Sequence, residues 1–140
     1  MKPTQSVFRL TLRSIPRSIR RVETYLSRIN AAMHLDEIQV HKVMVSLTEA
    51  VNNAIIHGNK SDPNKKVLVR CEVHPGWLLF IIEDQGRGFH VDQVKNPLKE
   101  ENLLRESGRG IFLMKTLMDK VEFELTQKGT QVRLWLDTNK

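Results

Sequence analysis

Residues 66–89, KVLVRCEVHPGWLLFIIEDQGRGF, hold two β-rich runs, a short Pro-Gly link between them, and an acid followed by two glycines. The runs Lys66 to Val73 and Trp77 to Glu83, joined by His74-Pro75-Gly76, predict an antiparallel hairpin. On the N-terminal side, residues 6–13 (SVFRLTLR) alternate as a half-buried strand. Ser14 and Pro16 then signal a helix start, and Ile15, Ile19, Val22, Leu26 and Ile29 carry a helical stripe over about 16–33. Asp36 can cap a second helix with apolar Ile38, Val43, Leu47, Ala50, Val51 and Ala54, stopping at Gly58 or Asn59. On the C-terminal side, residues 90–107 are polar and aperiodic, as functional lids often are. A third helix begins near Gly110, and strands 121–126 and 130–136 close the chain. The order β-α-α-β-β-lid-α-β-β, dominated by hairpins, argues against a doubly wound parallel fold. The expected class is α+β: a two-layer α/β sandwich, a mostly antiparallel mixed sheet with three helices on one face, as a single domain over 1–140.

Composition narrows the function classes. The chain has 140 residues, 40% hydrophobic and 27% charged, a globular profile. No apolar run can cross a bilayer and the N-terminus lacks a signal-peptide core, so the expectation is a cytoplasmic protein. The single cysteine, Cys71, reads as a small core residue of a strand. The net charge of +6 lies in residues 1–30, where seven basic side chains face one acid, Glu23. Such a patch could attract nucleic acid, a membrane surface or an acidic protein, or be a solvated helix face with no partner; Arg17, Arg20 and Arg21 of the first helix are the candidate protein-docking surface. Seven basic residues without a reader motif do not predict a nucleic-acid site.

Three short constellations carry chemistry. Asp84, at the end of an apolar strand, can accept a hydrogen bond from an adenine amino group, and Gly86 and Gly88 remove Cβ atoms where backbone turns or approaches a ligand. Taken alone, Asp-x-Gly after a strand is more often an ordinary turn. Glu49 and Asn53, four residues apart, project from one helix face. An Asn oxygen suits Mg²⁺ beside a triphosphate and Glu49 can serve as a general base, although such pairs are also common on solvent-exposed helices. Gly108-Arg109-Gly110 leads into the third helix, whose N-terminal N–H groups can bind phosphate; a plain glycine hinge is the competing account. There is no GxxxxGK[ST] loop. His57 reads as a helix-end residue bonded to nearby backbone, and Trp77 and Trp135 as core or sheet-surface residues.

Taken in order, these residues resemble a known superfamily. Residues 49–58 (EAVNNAIIHG) are similar to the N box of the ATPases shared by gyrase, a heat-shock chaperone, histidine kinases and MutL. Residues 84–89 resemble its first glycine box and 108–114 its second, and the similarity extends through Gly129-Thr130-Gln131-Val132-Arg133. Within the superfamily the chain looks like the small anti-sigma-factor serine kinases of the RsbW and SpoIIAB type. The resemblance implies Glu49 as catalytic base, Asn53 as Mg²⁺ ligand, and Asp84 on the adenine amino group with Gly86 and Gly88 around it. It further implies Gly108, Arg109 and Gly110 facing the phosphates and Thr130 beside Asp84. The implied cofactors are ATP and Mg²⁺. The implied partners are a sigma factor, an anti-anti-sigma antagonist that receives phosphate on Ser or Thr, and a second copy of the chain. A regulatory module that sequesters its partner without kinase activity is the alternative.

Overall fold

The computed structural model describes residues 6–86 and 109–139. Five strands, β1 (Ser6–Arg13), β2 (Lys66–His74), β3 (Trp77–Glu83), β4 (Lys120–Thr126) and β5 (Gly129–Asp137), form one sheet in the order β1-β2-β3-β5-β4. All four strand pairings are antiparallel, so the sheet expected to be mixed has no parallel pair among the described residues. β2–β3 and β4–β5 are hairpins, β1 and β2 are linked through helices, and β5 returns from the edge strand β4 to lie beside β3.

Register turns the period-2 patterns into a continuous apolar surface. Leu10 pairs with Val69, Val69 with Ile82, Ile82 with Val132 and Val132 with Phe123, one row across all five strands. A parallel row runs Phe8, Cys71, Phe80, Leu134 and Val121. Against this face pack α1 (Arg20–Met33) through Val22, Tyr25, Leu26 and Ile29, α2 (Glu37–Asn53) through Val43, Leu47, Ala50 and Val51, and α3 (Arg109–Leu117) through Ile111 and Met114. Truncating a fully buried member such as Leu47 to Ala would cost about 2–5 kcal/mol. Burial pushes the Cys71 thiol up to about 12, so it stays protonated at neutral pH, as a core residue should. The opposite face carries Trp77, stacked on His74 at 3.9 Å, and Trp135, under the Lys120 ammonium at 4.9 Å.

Local signals explain most element ends. Asp36 accepts from the Gln39 N–H while the Gln39 side chain accepts from the Asp36 N–H, a complete capping box for α2. The first helix departs from expectation at its start. Pro16–Ile19 form a 3₁₀ turn whose N-cap, Ile15, gives no side-chain bond. Ser14 instead donates to the Lys65 carbonyl at 2.9 Å, so it ties β1 to the start of β2 rather than capping a helix. At its far end α2 widens into a π turn, Ala54–Gly58. Lys60 and Ser61 follow with left-handed φ of 53° and 55°, an uncommon pair for residues with side chains.

Candidate functional site

The π turn that follows α2 and the end of β3 meet at Asp84, where Gly58 packs against its side chain. Its backbone continues the sheet, donating to the Thr130 carbonyl at 3.1 Å. Its Oδ1 accepts from the N–H groups of Thr130 and Gly86, each at 3.0 Å. Oδ2 receives no hydrogen bond among the described residues. The carboxyl is 8% exposed, and desolvation raises its pKa above the ordinary value even though the Thr130 and Gly86 N–H groups pull the other way.

Three glycines make this burial possible. A Cβ on Gly58 would overlap Asp84 Oδ2, one on Gly129 would meet the Asp84 carbonyl and Oδ1, and one on Gly86 would collide with the Gly58 carbonyl. Gly86 was expected here from the sequence. Gly58 and Gly129 fall within the matched stretches 49–58 and 129–133, but no contact with Asp84 was expected of either.

Glu49 and Asn53 lie on α2 ahead of this cluster, both partly buried. Nine residues separate Glu49 from Gly58, roughly 13 Å along a helix. Glu49 Oε1 faces Gly110 at the start of α3, where an added Cβ would come within 2.5 Å of it. The N-box helix and the second glycine element are therefore in contact, as α2 and α3 pack side by side. Neither Glu49 nor Asn53 makes a side-chain hydrogen bond among the described residues, which leaves both sets of oxygens available. Arg109 is exposed at the first position of α3. Gly88, Gly108 and the expected lid at 90–107 lie outside the described residues.

Other expected residues fall elsewhere. Arg17, Arg20 and Arg21 are exposed around the start of α1, and Arg21 already donates to the Thr11 carbonyl of β1 at 3.0 Å. His57 sits in the π turn and, contrary to expectation, its imidazole makes no hydrogen bond to backbone among the described residues. Asn59, expected only as a helix stop, is fully buried and bonds to three separate segments.

Asp84, with Oδ1 held by backbone, lies after β3, while Glu49 and Asn53, without side-chain hydrogen bonds among the described residues, lie on α2. The family profile described as histidine kinase-like ATPase domain matches residues 12–136. The chain belongs to the histidine kinase-like ATPase family. An anti-sigma F factor of Geobacillus thermodenitrificans is 39% identical over 105 residues, covering 71% of this chain and 69% of the relative. The serine-protein kinase RsbW of Bacillus subtilis is 28% identical over 130 residues, covering 89% and 81%. Among solved structures, the RsbU and RsbW domains of a Mycobacterium tuberculosis protein superpose with a TM-score of 0.70 at 17% identity, over 94% of this chain and 32% of the longer one. A histidine kinase domain from Erythrobacter litoralis does so with a TM-score of 0.56 at 22% identity, over 84% and 61%. At those identities the structures speak for the fold.

Proposed function

We propose that this histidine kinase-like ATPase domain is an anti-sigma factor with serine/threonine kinase activity: it holds a sigma factor and transfers the γ-phosphoryl group of ATP to a Ser or Thr of an antagonist protein. The observation that carries the reading is Asp84, buried with no hydrogen bond to Oδ2 among the described residues and packed against Gly58 in the turn that follows the Glu49 helix. The names of the relatives supply the biological setting.

Adenine would lie at the Asp84 end, its amino group donating to Oδ2, with Thr130 beside it. The triphosphate would run along α2 toward Glu49 and the N-terminus of α3, where the Gly110 N–H and Arg109 can meet its charge. Asn53 fits a Mg²⁺ ligand: a neutral amide oxygen on α2 without a side-chain hydrogen bond among the described residues. Mg²⁺ bound there would neutralise phosphate charge. Glu49 takes the proton of the incoming hydroxyl as its oxygen bonds to the γ-phosphorus and the bond to the bridging oxygen breaks, releasing ADP. No helix among the described residues is long and apolar enough to cross a membrane, in keeping with action in the cytoplasm. The resemblance also implies a homodimer, which sedimentation of the purified chain would test.

The deciding experiment incubates the chain with γ-labelled ATP and its antagonist. Label should reach Ser or Thr of the antagonist, and Glu49→Ala should slow transfer by about 10²-fold or more while sigma-factor binding persists. Transfer at the normal rate in that variant would remove Glu49 from the mechanism. A chain that binds both proteins and transfers no label would leave sequestration as its function.

A further inference from the structure

Asn59 has no role in the chemistry above, yet it is the most completely engaged polar side chain near the site. It is 0% exposed, and its amide uses both donors and its acceptor. Nδ2 donates to Ser14 Oγ at 2.7 Å and to the Lys66 carbonyl at 3.0 Å. Oδ1 accepts from the Gln85 N–H at 2.7 Å, one residue past Asp84. Its own N–H closes the π turn on the Ala54 carbonyl at 2.8 Å.

We propose that Asn59 is the positioning residue for Asp84, a clamp that joins the end of α2 to the segment after β3 and so fixes the direction of Asp84 Oδ2. The proposal rests on the reading of Asp84 as the adenine contact. Gly58, next to Asn59, packs against Oδ2, and Gly86, next to Gln85, packs against the Gly58 carbonyl while its N–H holds Oδ1. Both walls of the carboxylate are thus neighbours of residues joined by one side chain. Loosening Asn59 frees both walls together.

The bond directions make Asn the required residue. The hydroxyl hydrogen of Ser14 goes to the Lys65 carbonyl, so Ser14 can only accept from position 59. Lys66 offers a carbonyl, again an acceptor. Gln85 offers an N–H, and its own side chain returns to accept from the Lys66 N–H at 2.7 Å, locking the same corner. An Asp of the same shape would keep the Gln85 bond and set an oxygen against two acceptors. The two left-handed residues after Asn59 turn the chain back immediately, with the Ser61 N–H on the Ile55 carbonyl at 2.8 Å, which keeps the side chain directed inward.

The test compares ATP with purine riboside triphosphate, which lacks the 6-amino group, by calorimetric titration of the full chain. Wild type should prefer ATP by about tenfold or more, the ratio expected for a hydrogen bond to a charged acceptor. Asn59→Asp should reduce that ratio to about twofold or less, and Ser14→Ala, which weakens the clamp at its far end, should reduce it by about threefold. A purely structural role would weaken both nucleotides alike and leave the ratio intact. Asp84→Asn, titrated in parallel, separates the two ideas. If Asp84→Asn erases the preference while folded Asn59→Asp and Ser14→Ala keep it, the clamp is wrong. If Asp84→Asn keeps it, the adenine reading fails, and the clamp's purpose with it. Should Asn59→Asp not fold, an unchanged ratio in Ser14→Ala overturns the proposal.

Discussion

Asp84 is a buried acid whose native environment favours the protonated form, and that fact has consequences for stability as well as binding. Its pKa in the folded chain lies above the ordinary 3.8, with desolvation the leading cause. A raised folded pKa means that this group's contribution to stability is fully present below 3.8 and is lost as pH rises through the folded value. At neutral pH the apo protein therefore carries the cost of a buried carboxylate. Asp84→Asn retains an oxygen to accept from Gly86 and Thr130 and removes that cost. Nucleotide-free Asp84→Asn should melt above wild type at pH 7, with the difference shrinking as pH falls toward 4; the melting curves of both proteins across that range check it. The same variant presents an N–H₂ where adenine needs an acceptor, so ATP affinity should fall by about 10- to 100-fold, corresponding to ~1.5–3 kcal/mol. Discrimination against guanine nucleotides should relax with it. A variant that melts lower at pH 7 and binds ATP normally would mean that the carboxylate is a structural anion with no ligand.

At the scale of elements, α2 carries Glu49 and Asn53, and its two ends are secured in different ways. The N-terminal end is local: Asp36 and Gln39 satisfy each other's backbone N–H groups. Asp36→Ala removes one acceptor and should destabilise the chain by about 1 kcal/mol, a fall in Tm of about 4 °C, with nucleotide affinity unchanged because Glu49 lies more than three turns away. Thermal melts and titration of that variant check both halves. The C-terminal end is not local, and here the sequence misleads. Gly58 and Asn59 are both favoured after a helix, so propensity explains their presence without reference to anything distant. The partner of Asn59 is Ser14, 45 residues earlier, and that of Gly58 is Asp84, 26 residues later. Capping rules see only a few residues to either side. For the same reason Ser14 next to Pro16 reads as a helix start, although its hydroxyl belongs to the β1–β2 junction. What was legible was local pattern: the alternation in β1, the β-rich runs of β2 and β3, the stripes of α1 and α2, and the acid followed by two glycines. The pairing of Asp84 with Thr130 emerged only from the family resemblance, since no periodicity links strands three and five.

At the scale of the whole molecule, charge and site are separated. The excess of positive charge lies within the first 30 residues, while the proposed nucleotide site draws on α2, α3 and the ends of β3 and β5. One nucleotide does not require a basic surface on another element, so the arginines of the first helix are more economically explained by an acidic protein partner. Arg21 is already committed to the Thr11 carbonyl, holding α1 against the edge strand beside Tyr25, whose hydroxyl donates to the Phe8 carbonyl at 2.6 Å. Arg17 and Arg20 are the exposed members without such a bond among the described residues. Exposed charges of this kind act mainly by steering encounter, and their effect is screened within a Debye length of about 10 Å at ~0.1 M salt. Arg17→Glu combined with Arg20→Glu should therefore lower sigma-factor affinity by about tenfold, chiefly through the association rate. The gap from wild type should narrow as salt rises toward ~0.5 M. ATP affinity and Tm should not move, since neither side chain packs in the core. Stopped-flow association at several salt concentrations measures the effect, and titration with duplex DNA under the same conditions shows whether the patch serves nucleic acid instead. Unchanged association in the double variant, at low salt, would leave the N-terminal charge as a solvated helix face and move the docking surface elsewhere on the fold.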